Sequence, residues 1–490
     1  MLTNLLKTTA SISEALNTIN DSDNKICLVT EPDGRLARVV TDGDIRRALI
    51  DGATTEDAIS VLPPTDPVTC GVKAGEADIL SLMISNDINI VVVVNEANHP
   101  VSLVSRSMLE PNVLLSPPHM GERERIYVGN AFEENWVAPA GPHLAKFEHE
   151  LEKVTGLEAA LAVSSGTAAL HLAMRVLNVK AGDRVYVSDL TFAASAQPIL
   201  YENAVPVLID SEPGTWNMSP EALARKLEKD KTLGVLPAAI IVVHIYGQCA
   251  NMERICELAD FYGIPIVEDA AESLGATYRN SSSGAHGTLA AFSFNGNKII
   301  TTGGGGALVS NNRELIELAR YLSTQGRDAA LHYQHEKVAY NYRMSNILAG
   351  IGRGQLALLG ERVEARRHIF DRYRNGLKDI PGIRFQENSP NSQGNRWLTV
   401  VDLDPDEFGL HPYQVIKKLG QHGIECRPAW KPMHLQPLFR RYEIEFHSEH
   451  EYIAGEHFLR SLCLPSGSSM TEDAQDRIIG QLRKTLKRLA

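Results

Sequence analysis

Paired cysteines, long apolar runs and a surplus of basic charge are all missing from this sequence, and each absence removes a class of function. The six cysteines (Cys27, Cys70, Cys249, Cys256, Cys426, Cys463) are dispersed with no CxxC pair. That pattern fits reduced thiols in a cytoplasmic protein, and it speaks against a disulfide scaffold or a cysteine-held zinc. No role is assigned to them and no metal is expected. The longest apolar runs, such as Leu236–Val243 and Ile90–Val94, fall well short of the ~20 residues needed to cross a bilayer. They read as buried strands. Met1–Ala10 lacks a basic stretch followed by an apolar one, so no signal peptide is read there. A net charge of -12 argues against a nucleic-acid or anionic-membrane surface, and any phosphate site must be built locally.

What is present is a globular composition, 43% hydrophobic and 22% charged over 490 residues, enough for two to four domains of roughly 100–200 residues each. A seam is expected near Leu115–Gly121, where Ser116-Pro117-Pro118-His119 breaks any regular element. Before it one pattern occurs twice. The first copy has a helix (Ser11–Asn20), a strand (Lys25–Val29), a turn at Pro32-Asp33-Gly34, a second strand and a short helix (Asp44–Ile50). The second runs through Glu76–Ser85, Ile88–Val94, a turn near Asn95–Pro100, Val101–Val104 and Ser107–Leu109.

In the first copy Val39-Val40-Thr41-Asp42-Gly43-Asp44-Ile45-Arg46-Arg47-Ala48-Leu49 resembles the strand-to-helix signature of CBS domains. The resemblance implies an adenine nucleotide whose ribose is held by Thr41 and Asp44; a carboxylate can accept both ribose hydroxyls. The second copy has Met108 where the first has Asp44, so at least one site reads as degenerate. A packing or dimerisation module is the competing reading, because a fold does not guarantee a ligand.

After the seam, strands and helices alternate in the manner of an α/β domain with a mostly parallel sheet. Strand Ala159–Val163 leads to helix Thr167–Leu177, Arg184–Val187 to a helix around Ala193–Tyr201, Pro206–Ile209 to Pro220–Lys229, and Ala239–His244 to Met252–Tyr262. Strand Pro265–Glu268 then delivers Asp269, and Ala290–Phe294 delivers the loop holding Lys298. Ligands of such sheets bind beyond the carboxyl ends of the strands.

Three segments carry chemistry. Ser164-Ser165-Gly166-Thr167-Ala168-Ala169-Leu170 opens a helix after a strand, so its N–H groups and the Thr167 hydroxyl suit an anion; simple close packing explains such a turn equally well. Val267-Glu268-Asp269-Ala270-Ala271-Glu272-Ser273-Leu274-Gly275 puts a carboxylate at the end of a buried strand, where it needs a cationic partner or caps the next helix. A protonated pyridine nitrogen is one such partner. The most specific segment is Phe292-Ser293-Phe294-Asn295-Gly296-Asn297-Lys298-Ile299-Ile300-Thr301-Thr302-Gly303-Gly304-Gly305-Gly306. A lysine among so many glycines reads poorly as a solvated surface charge, since glycine costs backbone entropy unless close approach requires it. Its amine can bond an aldehyde cofactor.

Together these segments resemble the DegT/StrS family of nucleotide-sugar aminotransferases, and the likeness spans nearly all of residues 120–490. Trp136-Val137-Ala138-Pro139, Leu190-Thr191-Phe192, Val243-His244-Ile245-Tyr246-Gly247-Gln248, Tyr340-Asn341-Tyr342-Arg343-Met344-Ser345-Asn346 and Trp430-Lys431-Pro432-Met433-His434 add to it in the same order. Within the family the sequence is most similar to enzymes aminating UDP-linked 4-keto-6-deoxy-N-acetylhexosamines of the bacillosamine type. The resemblance implies a fold-type-I transferase with a seven-stranded sheet: residues 1–115 a CBS-pair-like regulatory module, 120–365 a cofactor-binding domain, 366–490 a smaller α+β subdomain. It implies pyridoxal 5'-phosphate, alternating with pyridoxamine 5'-phosphate, on Lys298. Asp269 would face the pyridine nitrogen, Phe192 would stack on the ring, and Gly166, Thr167, Ala168 and Ser293 would hold the phosphate. Glu272 stands near the cofactor where many relatives have Gln or His. Asn341 would reach a phosphate in the second subunit of a homodimer, and Trp136, Trp430, Lys431 and His434 are candidate substrate contacts.

The implied reaction takes an amino group from L-glutamate and gives it to a keto sugar, most readily at C4, for bacterial polysaccharide assembly, with Lys298 carrying the proton. Two rivals are weighed. A sugar 3-dehydratase of the same family has His in place of the lysine, and a catalytically inactive regulatory protein would keep the fold without the turnover.

Overall fold

The computed structural model describes residues 2, 4–22, 24–109, 112–409, 411–449 and 451–487. They divide into two compact units, Met1–Asn112 and Val113–Ala490.

The first unit is a repeat in its backbone as well as its sequence. Strand Leu5–Lys7, helix Ile12–Asp21, strands Ile26–Thr30 and Leu36–Thr41 and helix Asp42–Ile50 recur as Thr69–Gly71, Glu76–Ser85, Ile90–Val94, Pro100–Ser105 and Arg106–Leu109, each element starting 64 residues after its counterpart. In each copy the first two strands pair in parallel and the last two antiparallel. Both hairpins shift register at the same place, between Val29 and Thr30 and between Val93 and Val94. Their turns use a left-handed residue, Gly34 at φ 90° in one and Asn98 at φ 61° in the other, both residue types that adopt that conformation at low cost. In the first copy the amphipathic helix buries Ile12, Ala15 and Ile19 against Cys27, Val29 and Val40. The three-residue strands Leu5–Lys7 and Thr69–Gly71, not expected from the sequence, lie at the edges of these sheets.

The second unit is built on one eight-stranded sheet. Its order is Ile444–Glu445, Val205–Ile209, Arg184–Ser188, Ala239–Val243, Ile266–Asp269, Leu289–Ser293, Gly306–Ser310, Ala159–Val163. Only Gly306–Ser310 runs antiparallel to its neighbours. The six strands placed from the sequence pattern are joined by Gly306–Ser310, which makes up the seven that the resemblance implied, and by an eighth, the two-residue edge strand Ile444–Glu445, parallel to Val205–Ile209. Helices cover both faces, so the inner strands are mostly apolar on both sides and not alternating, with Glu268 and Asp269 at the end of Ile266–Asp269 as buried charged exceptions. Leu161, Val163, Ile241, Val267 and Leu308 pack on one side; Ala160, Ala162, Phe292 and Val309, with Ile240 and Val242 further along, pack on the other. Each such Val, Leu, Ile or Phe side chain taken out of water contributes about 1.5–3 kcal/mol, and each alanine methyl about 0.8 kcal/mol.

Helix Pro220–Leu233 begins where the sequence indicates, whereas the helix expected around Ala193–Tyr201 is a 3-10 turn, Ala193–Ser195, followed by the short helix Gln197–Tyr201, and helix Asp42–Ile50 starts two residues before the expected Asp44. Ser219 accepts from the Ala222 N–H ahead of Pro220, and helix Pro220–Leu233 ends at the left-handed Gly234. A four-stranded antiparallel sheet of Ile383–Phe385, Thr399–Leu403, Ser461–Leu464 and Arg427–Pro428 follows in the chain. It packs against the 19-residue helix Leu359–Leu377, which runs through position 365, and against helix Glu472–Lys487. All six cysteines are free. Among the described residues no helix is long and apolar enough to cross a membrane, and no cluster of His, Cys, Asp and Glu could hold a metal ion.

Candidate active site

A cavity of about 320 Å³ opens where the parallel strands end. Its wall takes Ser164–Thr167 from the turn after Ala159–Val163, Thr191, Phe192 and Ser195 from the segment after Arg184–Ser188, Asp269 and Glu272 after Ile266–Asp269, and Ser293, Asn297 and Lys298 after Leu289–Ser293. Residues from four strand ends, remote in sequence, thus share one space, as expected for an open α/β sheet.

The anion end of this cavity is a helix N-terminus. Ser165 caps helix Gly166–Val176 by accepting from the Ala168 N–H at 3.0 Å, and no acidic residue occupies the first turn. The remaining first-turn N–H groups have no partner inside the helix. A Cβ on Gly306 would sit 2.5 Å from the Gly166 nitrogen, and one on Gly166 would sit 3.0 Å from Ser293 Cβ. The glycines of the Gly303–Gly306 run are therefore required at least where strand Gly306–Ser310 passes the turn.

Asp269 is the last residue of its strand, in register with Val243 and Ala291. Ser195 Oγ donates to its Oδ2 at 2.5 Å, and the Ala271 N–H donates to Oδ1 at 3.1 Å. The Ser195 proton is thereby spent, so in the 2.5 Å contact between Thr191 and Ser195 the threonine is the donor. Two hydroxyls in series brace the carboxylate. The neighbouring Glu268, on the opposite side of the strand, is fully buried with His244. His244 Nδ1 accepts the Ala250 N–H, so Nε2 carries the proton and donates to Glu268 at 2.8 Å. The N–H groups of Gly284, His286 and Gly287 complete that carboxylate. Burial pushes the Glu268 carboxyl up, but His244, His286 and the Gly287 N–H outweigh it and the net shift is downward.

Lys298 Nζ lies 4.0 Å from the centre of the Trp397 ring and 3.5 Å from Glu272 Oε1. Glu272 also accepts the Tyr246 N–H at 2.7 Å. Burial raises its carboxyl above the ordinary range, a rise that Lys298 opposes.

Of the sequence-predicted residues, Gly166, Thr167, Phe192, Asp269, Glu272, Ser293, Lys298 and Trp430 line the one cavity. Ala168 contributes its N–H to the Ser165 cap instead. Asn341 is exposed, forming a bridge with Thr324, and Trp136 is 45% exposed; neither lines the cavity of its own chain. Lys431 is also off the wall, and His434 is turned to Asp189, with Nδ1 2.6 Å from Oδ2. Sequence reasoning missed Ser195, Trp397 and Asn297. Thr191 lay in the noted segment Leu190-Thr191-Phe192 and Ser195 in the helix expected after it, whereas nothing local marks Trp397, which is 100 residues from its hydrogen-bond partner Asn297.

In the first unit, Thr41 and Asp44 line a separate cavity of about 380 Å³ together with Thr65, Asp66 and Asn89. The Thr41 N–H donates to Asp44 Oδ2 at 2.9 Å, the Asp44 N–H donates to Thr41 Oγ1 at 3.3 Å, and Arg47 donates to Asp44 Oδ1 at 2.6 Å.

The DegT/DnrJ/EryC1/StrS aminotransferase family matches residues 118–483, and the CBS domain matches residues 5–51. The chain is 53% identical to EpsN of Bacillus subtilis (strain 168), which is named as a pyridoxal phosphate-dependent aminotransferase, across 76% of this chain and 95% of that one. It is 36% identical to the GDP-perosamine synthase of Caulobacter vibrioides across 77% and 99%. A DegT DnrJ EryC1 StrS aminotransferase from Brucella abortus superposes with a TM-score of 0.69 at 29% identity, across 74% and 95%. With its cavity, its lysine and its acid-free helix N-terminus, this chain belongs to the DegT/DnrJ/EryC1/StrS aminotransferase family, preceded by a CBS domain.

Proposed function

We propose that this chain transfers an amino group from L-glutamate to the C4 keto group of a nucleotide-linked deoxy sugar, with pyridoxal 5'-phosphate as cofactor, in bacterial glycan synthesis. The observation that carries the reading is a single cavity holding Lys298, the buried Asp269 and a helix N-terminus free of acid. The names of the Bacillus and Caulobacter relatives support the cofactor and the nucleotide-sugar class.

The residues present fit the cofactor. The first turn of helix Gly166–Val176 and Ser293 would hold the phosphate, Asp269 would pair with the ring nitrogen, Phe192 would cover a ring face, and Lys298 would bond the aldehyde carbon. When bound, the cofactor supplies an electron sink and carries the amino group between substrates. The Thr191–Ser195 relay holds the Asp269 carboxylate in place for that pairing. Lys298, freed from the aldehyde carbon, would move a proton at Nζ in both halves of the reaction. Trp397 against Nζ limits the water that reaches it.

The lysine itself argues against the dehydratase reading. Asn341, exposed and away from the cavity of its own chain, would meet a phosphate in a second copy. Residues 1–115 would act as a regulatory module, with Asp44 and Thr41 holding the ribose of an adenine nucleotide; the Thr41 hydroxyl donates to Asp44 Oδ2 at 2.7 Å, so both side chains would meet the ribose hydroxyls as acceptors.

The test is a coupled assay of the purified full chain with glutamate and a panel of nucleotide-linked 4-keto and 3-keto sugars, the product read by NMR. A C4 amine is expected. Absence of turnover on every keto sugar, together with a visible absorption band that glutamate leaves unmoved, would establish the inactive regulatory protein instead.

A further inference from the structure

The carbonyl of Asn297, one peptide before Lys298, receives two side-chain hydrogen bonds. Trp397 Nε1 donates at 2.6 Å and Ser116 Oγ at 2.7 Å. Arg366, fully buried, donates from Nη2 to Ser116 Oγ at 2.9 Å and from Nη1 to the Trp397 carbonyl. A guanidinium has no acceptor, so Ser116 accepts from Arg366 and its one proton goes to Asn297. The chain of bonds thus has one direction, from a buried cation toward the carbonyl. The Lys298 N–H, at the other end of the same peptide, donates to the Asn295 carbonyl at 3.0 Å. A planar peptide held at both its oxygen and its nitrogen fixes the Lys298 Cα.

Ser116 is itself anchored. Val113 exchanges backbone bonds with Gly423 and Glu425 at 2.8 and 2.9 Å, the Leu115 N–H donates to Glu425 Oε2 at 3.1 Å, and the Leu115 carbonyl accepts from Ser466 at 2.8 Å. Four residues, Val113–Ser116, therefore form a strap whose last side chain ends on the lysine-bearing turn, 181 residues away in sequence.

We propose that Ser116 is a positioning residue for Lys298, acting through the Asn297 carbonyl with Arg366 behind it. The inference rests on the reading of Lys298 given above. Removing the hydroxyl leaves Asn297 with Trp397 alone and takes an acceptor from Arg366, whose guanidinium burial already pulls down to about 9. The lysine turn then loses its fixed plane while the cavity walls remain. Misplacement of a catalytic group by a fraction of an ångström lowers the rate of the chemical step and leaves substrate binding nearly untouched.

The experiment compares full-length wild type with Ser116→Ala, Ser116→Cys and Ser116→Thr after loading with pyridoxal 5'-phosphate. It reads the pH midpoint of the visible band, the rate at which apoprotein captures the cofactor, kcat and KM, with melting curves alongside. Expected for Ser116→Ala are a moved band midpoint, slower capture and a kcat lower by about tenfold with KM within about twofold. Ser116→Thr restores wild-type behaviour, and Ser116→Cys, a weak donor of similar size, falls between and serves if Ser116→Ala does not fold. An unmoved midpoint and unchanged kcat in a folded Ser116→Ala or Ser116→Cys protein overturns the proposal, as does an equal loss in Ser116→Thr. A wild type with no visible band at all would instead overturn the reading of Lys298.

Discussion

Two helix N-termini in this molecule start from the same local design and arrive at opposite electrostatics. At Thr41 and at Ser165 a hydroxyl residue in extended conformation ends a strand or its turn and caps the helix that follows. At Thr41 the first turn holds Asp42 and Asp44, and Asp44 closes the cap reciprocally. At Ser165 the third helical position is Ala168 and the first turn has no acid. The first cap satisfies its own N–H groups and fills the positive end of the helix with carboxylate, so it suits hydroxyl donors such as a ribose. The second leaves that end open to phosphate. The lesson is that a strand-to-helix turn becomes an anion site only when its own side chains decline to fill it.

The largest effect expected on this contrast is at the amine the open site serves. Lys298→Ala should lower turnover by about 10³-fold or more, read in the coupled assay. Next, Ala168→Asp would copy the closed cap into the open one. A titration following the visible band should give a Kd for pyridoxal 5'-phosphate raised about tenfold or more, and an unchanged Kd would dissolve the comparison. The reverse change, Asp44→Ala, should cost the first unit about 1 kcal/mol of stability and abolish the heat of adenine-nucleotide binding in a calorimetric titration of the full chain.

The smallest effects concern pH and have opposite signs in the two units. Burial pushes the Asp44 carboxyl up, but Thr41 and Arg47 outweigh it and hold it below its ordinary value. Its ionised form therefore stabilises the fold above the ordinary carboxylate range, and that contribution fades as pH falls through the lowered value. Glu272 is raised by burial despite Lys298, so its contribution is present in acid and is lost as pH rises through the raised value. Urea unfolding of the apoprotein across pH should show Asp44→Asn less stable than wild type near neutrality and equal to it in acid. Glu272→Gln should be more stable near neutrality, again converging in acid.

Much of the second unit was legible because parallel strands buried on both faces write themselves as short apolar runs between glycine and polar turns. Ala159–Val163 and Met252–Tyr262 are found where the pattern put them. Gly306–Ser310 was not anticipated, since a strand that begins in a glycine run looks like loop. Leu5–Lys7 and Thr69–Gly71 are too short to show a period. Lys298, Asp269 and Gly166 were readable because each sits at a strand end inside a contiguous motif. Ser195, Trp397 and Ser116 act across 74, 100 and 181 residues, and no spacing in the chain encodes such contacts.

The central claim is that Lys298 bonds the cofactor in the cavity it shares with Asp269. Borohydride reduction of the loaded full-length protein, digestion and mass spectrometry test it directly. A pyridoxyl-phosphate adduct is expected on the peptide containing Lys298 and on no other lysine. An unmodified Lys298 peptide, or an adduct confined to a different lysine, would contradict it.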